Sequence, residues 1–227
     1  GVVKGMAQYI CPPEENVYHI PDSLSLEAAS LTEPVSCCIH GTALFDVKLG
    51  ETVAIVGFGA IGQIMLQILK HSAASKIIVL ETVQEKKEMA LSMGATLFIN
   101  PAKDNIQEVL KANGIECIEK VIECVVRPVT AEKAIDIAGK GATVFLFGVA
   151  NPNAVVSLKQ YELFSKELVI KTSYINPDCT QRAINLLASG AIDSSKIISK
   201  IISLDDFPKE IETKQYSKLG KVVVSIR

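Results

Sequence analysis

Residues 52–62 read Thr52-Val-Ala-Ile-Val-Gly57-Phe-Gly59-Ala-Ile-Gly62, and this stretch decides the fold. A short β-branched run suited to a buried strand leads into the first glycine. From Gly59 the apolar period changes, because Ile61, Ile64, Met65, Ile68 and Leu69 fall at i, i+3, i+4, i+7 and i+8, one face of a helix. The glycines form a G-x-G-x-x-G pattern, which alone is weak. Its context is what counts: a strand directly before, an amphipathic helix directly after, and Glu81 19 positions beyond the last glycine, at the tip of the next strand. Gly57 permits the tight turn, Gly59 lets the backbone approach a pyrophosphate, and Gly62 lets the helix pack on the sheet. The free N–H groups and positive end of the helix then face the phosphates. Glu81 can accept hydrogen bonds from both hydroxyls of a ribose. The plainer alternative, a packing turn with a solvent-exposed glutamate, leaves this combination of features unexplained.

Working outward, strand-like and helix-like segments alternate. Lys76–Leu80 is a second strand, and 84–93 is a charged helix stopped by Gly94 at a left-handed cap position. Residues 96–99 form a third strand ended by Pro101, and 105–112 a helix closed by Asn113-Gly114. Residues 120–125 form a fourth strand, a helix capped by Thr130 runs through Ala138, and 142–147 and 168–172 are the fifth and sixth strands. Strands alternating with helices at this spacing imply parallel crossovers, hence an α/β fold with helices on both faces of the sheet. The ends differ. Residues 1–24 carry Pro12-Pro13 and Pro21 with no helical period. Asp178 can cap a helix ending near Gly190, and a β-rich tail runs through Gly220-Lys-Val-Val-Val-Ser-Ile.

Composition agrees. Of 227 residues 48% are hydrophobic but only 5% aromatic, which suits aliphatic parallel strands under helices better than an aromatic-rich sandwich. The formal charge is −2 with no basic run, so nucleic acid is not an expected partner. None of Cys11, Cys37, Cys38, Cys117, Cys124 and Cys179 makes a C-x-x-C pair, so reduced thiols are expected rather than disulfides or a zinc knot. No apolar run reaches the roughly 18–20 residues of a membrane span and no secretory signal is visible, so no membrane association and a cytoplasmic location are expected.

The string Glu33-Pro-Val-Ser-Cys-Cys-Ile-His40, followed by Gly50-Glu-Thr-Val-Ala-Ile-Val-Gly-Phe-Gly-Ala-Ile-Gly62, resembles the medium-chain zinc-containing alcohol dehydrogenase family. The likeness is strongest to its sorbitol, butanediol and threonine dehydrogenase branch. Gly5-Met-Ala-Gln-Tyr9 resembles a family strand, and Met93-Gly94-Ala95, Gly139-Lys-Gly-Ala-Thr-Val and Gly220-Lys-Val-Val-Val resemble later signatures. The resemblance implies a Rossmann domain, a doubly wound six-stranded parallel sheet, over residues 34–173. Residues 1–33 and 174–227 would be remnants of a β-rich, GroES-like catalytic domain. It implies NAD as cofactor, zinc in the full-length enzyme, a small alcohol or polyol as substrate, and a homodimer or homotetramer. Carried over by position, Gly57, Gly59, Ala60, Ile61 and Gly62 form the phosphate turn and Glu81 is the ribose acceptor. Lys86 would lie beside the adenosine ribose, unless it is a solvated helix charge. The backbone of Phe147, Gly148 and Val149 would meet the nicotinamide carboxamide. Glu33 matches a position beside the metal, though it also suits a helix N-terminus.

Two departures stand out. The family's glycine-histidine-glutamate zinc motif and its four-cysteine loop are absent, and His19, His40 and His71 show no ligand spacing, so the chain is expected to be a piece of a longer enzyme. Within Glu123-Cys-Val-Val126-Arg127, Val126 stands near where the family usually has glycine. A zinc-independent reductase of the same superfamily, and a truncated NAD-binding module without catalysis, are the alternatives.

Overall fold

The computed structural model describes residues 7–226; the expected Gly5–Tyr9 strand lies partly outside them. A 3-10 turn at Glu14–Asn16 and helices α1 (Leu26–Ala29) and α2 (Thr32–Phe45) precede the sheet. There follow β1 (Thr52–Val56), α3 (Ala60–Lys70), β2 (Lys76–Leu80), a 3-10 turn at Gln84–Lys86 running into α4 (Lys87–Met93), and β3 (Leu97–Ile99). Then come α5 (Ile106–Ala112), β4 (Lys120–Glu123), α6 (Pro128–Ile137), β5 (Thr143–Leu146), α7 (Gln160–Lys166) and β6 (Val169–Thr172). The chain closes with α8 (Thr180–Ala188), β7 (Ile198–Ser203), α9 (Phe207–Thr213) and β8 (Lys221–Ser225). Strands β1 to β6 make one sheet in the order β3-β2-β1-β4-β5-β6, every pair parallel. This is the expected doubly wound Rossmann sheet.

The apolar β1 run is explained by burial on both faces. Val53 and Ile55 point into one core with α2, α3 and α8 residues such as Val35, Met65 and Ile184, while Ala54 and Val56 point into a second with Leu110, Ala134 and Ile135. Ile55 is fully buried, worth about 1.5–3 kcal/mol against an exposed side chain. At β1 the strand order reverses: β2 lies to one side and β4 to the other, so a crevice opens past their carboxyl ends.

Several local expectations are corrected. The helix after β4 starts at Pro128, whose missing N–H costs nothing in the first turn. Thr130 is therefore the third helical residue rather than the cap, although its hydroxyl still accepts from the Arg127 N–H at 3.3 Å. Asp178 sits in the left-handed region (φ 55°), not the extended conformation of a capping residue, and Cys179 precedes α8. The first turn of the 84–93 helix is 3-10, and Gly94 ends it at φ 117° as expected.

The tail is less purely β than expected. Strands β7 and β8 pair in parallel, so α9 must carry the chain back between them. Ala183, Ile184, Leu187, Ile192 and Ile197 join the core beneath α2 and α3. Two glutamines of α3 fasten this region: the Gln63 amide donates to the Leu219 carbonyl at 3.0 Å, and Gln67 accepts from the Asp193 N–H at 2.7 Å while donating to its carbonyl at 3.3 Å. All six cysteines are free, and no helix among the described residues is long and apolar enough to cross a membrane.

Candidate functional site

The three glycines answer different requirements. Gly57 lies at φ 95°, and a Cβ there would overlap the Val125 side chain. A Cβ on Gly62 would overlap the Gly57 carbonyl oxygen, so α3 can start this close to β1 only without one. Gly59 has neither excuse. Its φ is −77° and nothing lies within 4 Å of where a Cβ would stand. The protein's own packing does not need glycine there, whereas a phosphate lying on the N-terminus of α3 would.

On the β2 side of the crevice Glu81 is held by its surroundings. One carboxylate oxygen accepts from the Phe58 N–H at 2.9 Å, and the other from the Val83 N–H at 2.9 Å and the Thr82 hydroxyl at 3.2 Å. Lys86 is buried, which excludes the solvated-charge reading. Its ammonium donates to the Phe58 carbonyl at 3.1 Å and lies 3.7 Å from Glu81. The pair thus ties the middle of the glycine turn to the end of β2. Asn100 shapes the same corner, donating to the Thr82 carbonyl and the Gln84 side chain, each at 3.0 Å.

Burial by itself would raise the Glu81 carboxyl; the N–H groups of Val83 and Phe58, the Lys86 ammonium and the Thr82 hydroxyl together outweigh it and hold the pKa below the ordinary value. A depressed folded-state pKa means that this stabilisation is fully present above the unfolded value of about 4.3 and is lost as pH falls through the lower folded value. Glu81→Gln should therefore flatten the acid limb of a stability–pH curve below about pH 4.3. Chemical denaturation at stepped pH measures this, and parallel wild-type and variant curves there would contradict it.

On the β4 and β5 side lies a cleft of about 370 Å³ lined by Glu33, Cys37, Ile61, Cys124, Val126 and the Phe147–Val149 segment, among others. Phe147 stacks on Phe145 (centroids 6.3 Å) and fills the space beside Gly41, while Val149 is almost fully exposed. Glu33 lies in the first turn of α2, where the helix dipole favours an anion. Its carboxylate accepts from the Cys37 thiol at 3.3 Å. Burial, this hydrogen bond and the nearby charge push the Cys37 thiol up to about 12, so it stays protonated. Burial likewise raises Cys38 and Cys124.

Catalytic zinc needs about three protein ligands. Among the described residues no three of His, Cys, Asp and Glu come together as a metal site, and the thiol nearest Glu33 is a proton donor. These residues do not by themselves fit a catalytic zinc.

Glu123 was not among the expected site residues. This buried carboxylate ends β4, and a single oxygen accepts from the Val125 N–H at 2.7 Å, the Val126 N–H at 2.8 Å and the Thr130 hydroxyl at 2.7 Å. The clamp holds Val126 at φ 71°. A β-branched residue in that region bears strain of about 1–2 kcal/mol. An acid closing a strand with a threonine seven positions on is the only signal that pointed to it.

A strand–glycine-turn–helix at a strand-order reversal, with a carboxylate ending the next strand, defines a dinucleotide-binding α/β domain. The family described as zinc-binding dehydrogenase matches residues 60–189, more than half of the chain. The chain belongs to that family. It is 31% identical over 221 residues to the L-threonine 3-dehydrogenase of Alteromonas mediterranea and 29% identical over 222 residues to that of Shewanella putrefaciens. Each match covers 96% of this chain but 64% of the relative, so the chain spans about two thirds of their length. Among solved structures, a candidate zinc-binding dehydrogenase from Sinorhizobium meliloti 1021 bound to NADP superposes with a TM-score of 0.92 at 31% identity, over 98% of this chain and 66% of that one. The fold is shared with 2R,3R-butanediol dehydrogenase from Bacillus subtilis (TM-score 0.86, 24% identity, 98% of this chain and 64% of that one).

Proposed function

We propose that this chain is the nicotinamide-dinucleotide-binding part of a zinc-dependent oxidoreductase that oxidises a secondary alcohol or polyol by hydride transfer. The observation carrying the reading is Gly59, a glycine that the chain's own packing does not require, at the mouth of the crevice where the strand order reverses. In this reading Gly57, Gly59, Ala60, Ile61 and Gly62 cradle the pyrophosphate and Glu81 receives the adenosine ribose. Lys86 acts from behind, holding Glu81 and Phe58 in place. Phe147, Gly148 and Val149 meet the nicotinamide. The cofactor, when bound, supplies the hydride acceptor. The chain's task is to fix the ring against the substrate's carbon and exclude water. Glu33 is proposed to lie near the metal of the complete enzyme; other ligands would come from outside the described residues.

Residues 34–173 are proposed as the cofactor domain, with 1–33 and 174–227 going to the catalytic domain. The half-exposed edge of Val169 and Ile170 is proposed to pair with a second copy, in a homodimer or homotetramer, since an unpaired apolar edge otherwise invites aggregation. Six free cysteines suit a reducing cytoplasm.

The cofactor is proposed to be NAD rather than NADP. A 2′-phosphate would meet the Glu81 carboxylate. Among the described residues the cation paired with it, Lys86, is buried and already bonded to Phe58, and Thr82 and Val83 follow with no arginine. A ribose hydroxyl needs only to replace the Thr82 hydroxyl at Glu81. Titration with both reduced cofactors should give NADH at least about tenfold tighter, or about 1.4 kcal/mol. Because the Sinorhizobium relative was crystallised with NADP, equal or tighter NADPH binding would remove Glu81 from its proposed role.

A further inference from the structure

Among the described residues Val126 is, with Ile175, one of two β-branched residues lining this cleft whose backbone lies in the left-handed region. It is β-branched yet sits at φ 71°, and three hydrogen bonds converge on one Glu123 oxygen to keep the turn there. The consequence is local: the Val126 isopropyl group lies so close over Gly148 that a Cβ on that glycine would overlap it. Val126 is partly exposed, and what it faces is the cleft shared with Ile61, Cys124 and Phe147. Strain that a glycine would relieve is retained, and its visible product is an apolar wall at the ends of β4 and β5.

We infer that Val126 is a shape-determining residue for the nicotinamide half of the cofactor, its side chain forming the wall against which that nucleoside packs. The inference rests on the dinucleotide reading above. With Glu81 at the end of β2 and the glycine turn over β1, a dinucleotide crossing the reversal point places its second nucleoside over β4 and β5. Val126 therefore contributes to holding the nicotinamide half and nothing to the adenosine half. Glu123 is the positioning residue behind it.

The test uses the gene product that carries this chain, with Val126→Gly as the variant, because glycine accepts the left-handed conformation without strain. Thermal unfolding, NADH binding and binding of ADP, which lacks the nicotinamide nucleoside, are measured side by side. The expected result is an unchanged or higher melting temperature, NADH weakened about tenfold, as for loss of a small apolar contact, and ADP within about twofold of wild type. NADH binding as tight as wild type, or an equal loss of NADH and ADP, would overturn the assignment. A wild-type protein that binds neither would overturn the dinucleotide reading and this inference with it.

Discussion

Gly59→Ala should leave the protein as stable as wild type while weakening NADH binding by about 10- to 100-fold, a loss of about 1.4–2.7 kcal/mol. The added methyl group meets no protein atom within 4 Å, and the backbone there is not in the left-handed region. Glycine outranks alanine at this N-cap by roughly 1 kcal/mol, which the lower unfolded-state entropy of alanine, about 0.4–1 kcal/mol, offsets. What the methyl group would meet is a phosphate on the N-terminus of α3. Gly62→Ala should do the opposite. Its methyl group would run into the Gly57 carbonyl, a backbone atom that cannot turn aside. The Gly57 N–H is bonded to Leu80 at 2.8 Å and the Gln63 N–H to Gly59 at 2.9 Å, so relief means moving β1 or α3. A cost of about 3 kcal/mol follows for such overpacking, or a melting temperature lower by roughly 6–12 °C for a chain of this size. Circular dichroism melts and NADH fluorescence titrations on both variants separate the effects. Normal cofactor affinity in Gly59→Ala would leave the crevice without its ligand.

The chain Gly1–Arg227 by itself should bind NADH and turn over nothing. The phosphate turn, the ribose acceptor and the nicotinamide edge all lie between Gly57 and Val149, on a sheet whose two cores are filled from within the chain. Glu33 is the one proposed metal-proximal donor, and the neighbouring Cys37 thiol is protonated and bonded to it. One carboxylate does not hold zinc tightly where about three ligands are required, so zinc added to the purified chain should be lost on dialysis. With NAD and sorbitol, 2,3-butanediol or threonine, absorbance at the reduced cofactor's band should stay flat. Stoichiometric zinc surviving dialysis, or turnover abolished by Glu33→Ala, would mean that the described residues carry a metal site after all.

The sequence by itself determined the class of fold and the place of the crevice. Strand and helix periods are local properties, so the buried run Thr52–Val56, the helix after Gly59 and the acid at Glu81 can be read from neighbouring residues alone. That the strands run parallel follows from their alternation with helices, whereas the doubly wound arrangement came from the family resemblance and the order β3-β2-β1-β4-β5-β6 from the tertiary structure. Cap positions were less legible. Thr130 and Asp178 are both good capping residues, and it was Pro128 and the left-handed turn at Asp178 that moved the helix starts elsewhere. Only the tertiary structure decided what the charged residues of the site do. Lys86 lies on what reads as a solvated helix surface, yet it is buried, with its ammonium held at the Phe58 carbonyl of the glycine turn and beside Glu81. Glu123 reads as an acid within the fourth strand and Val126 as an aliphatic residue just beyond it, near where the family usually has glycine, and nothing adjacent states that one clamps the other at φ 71° against Gly148. Such contacts join residues brought together by the packing of separate strands, and a backbone angle held against its local preference is fixed by those partners and not by the residue itself.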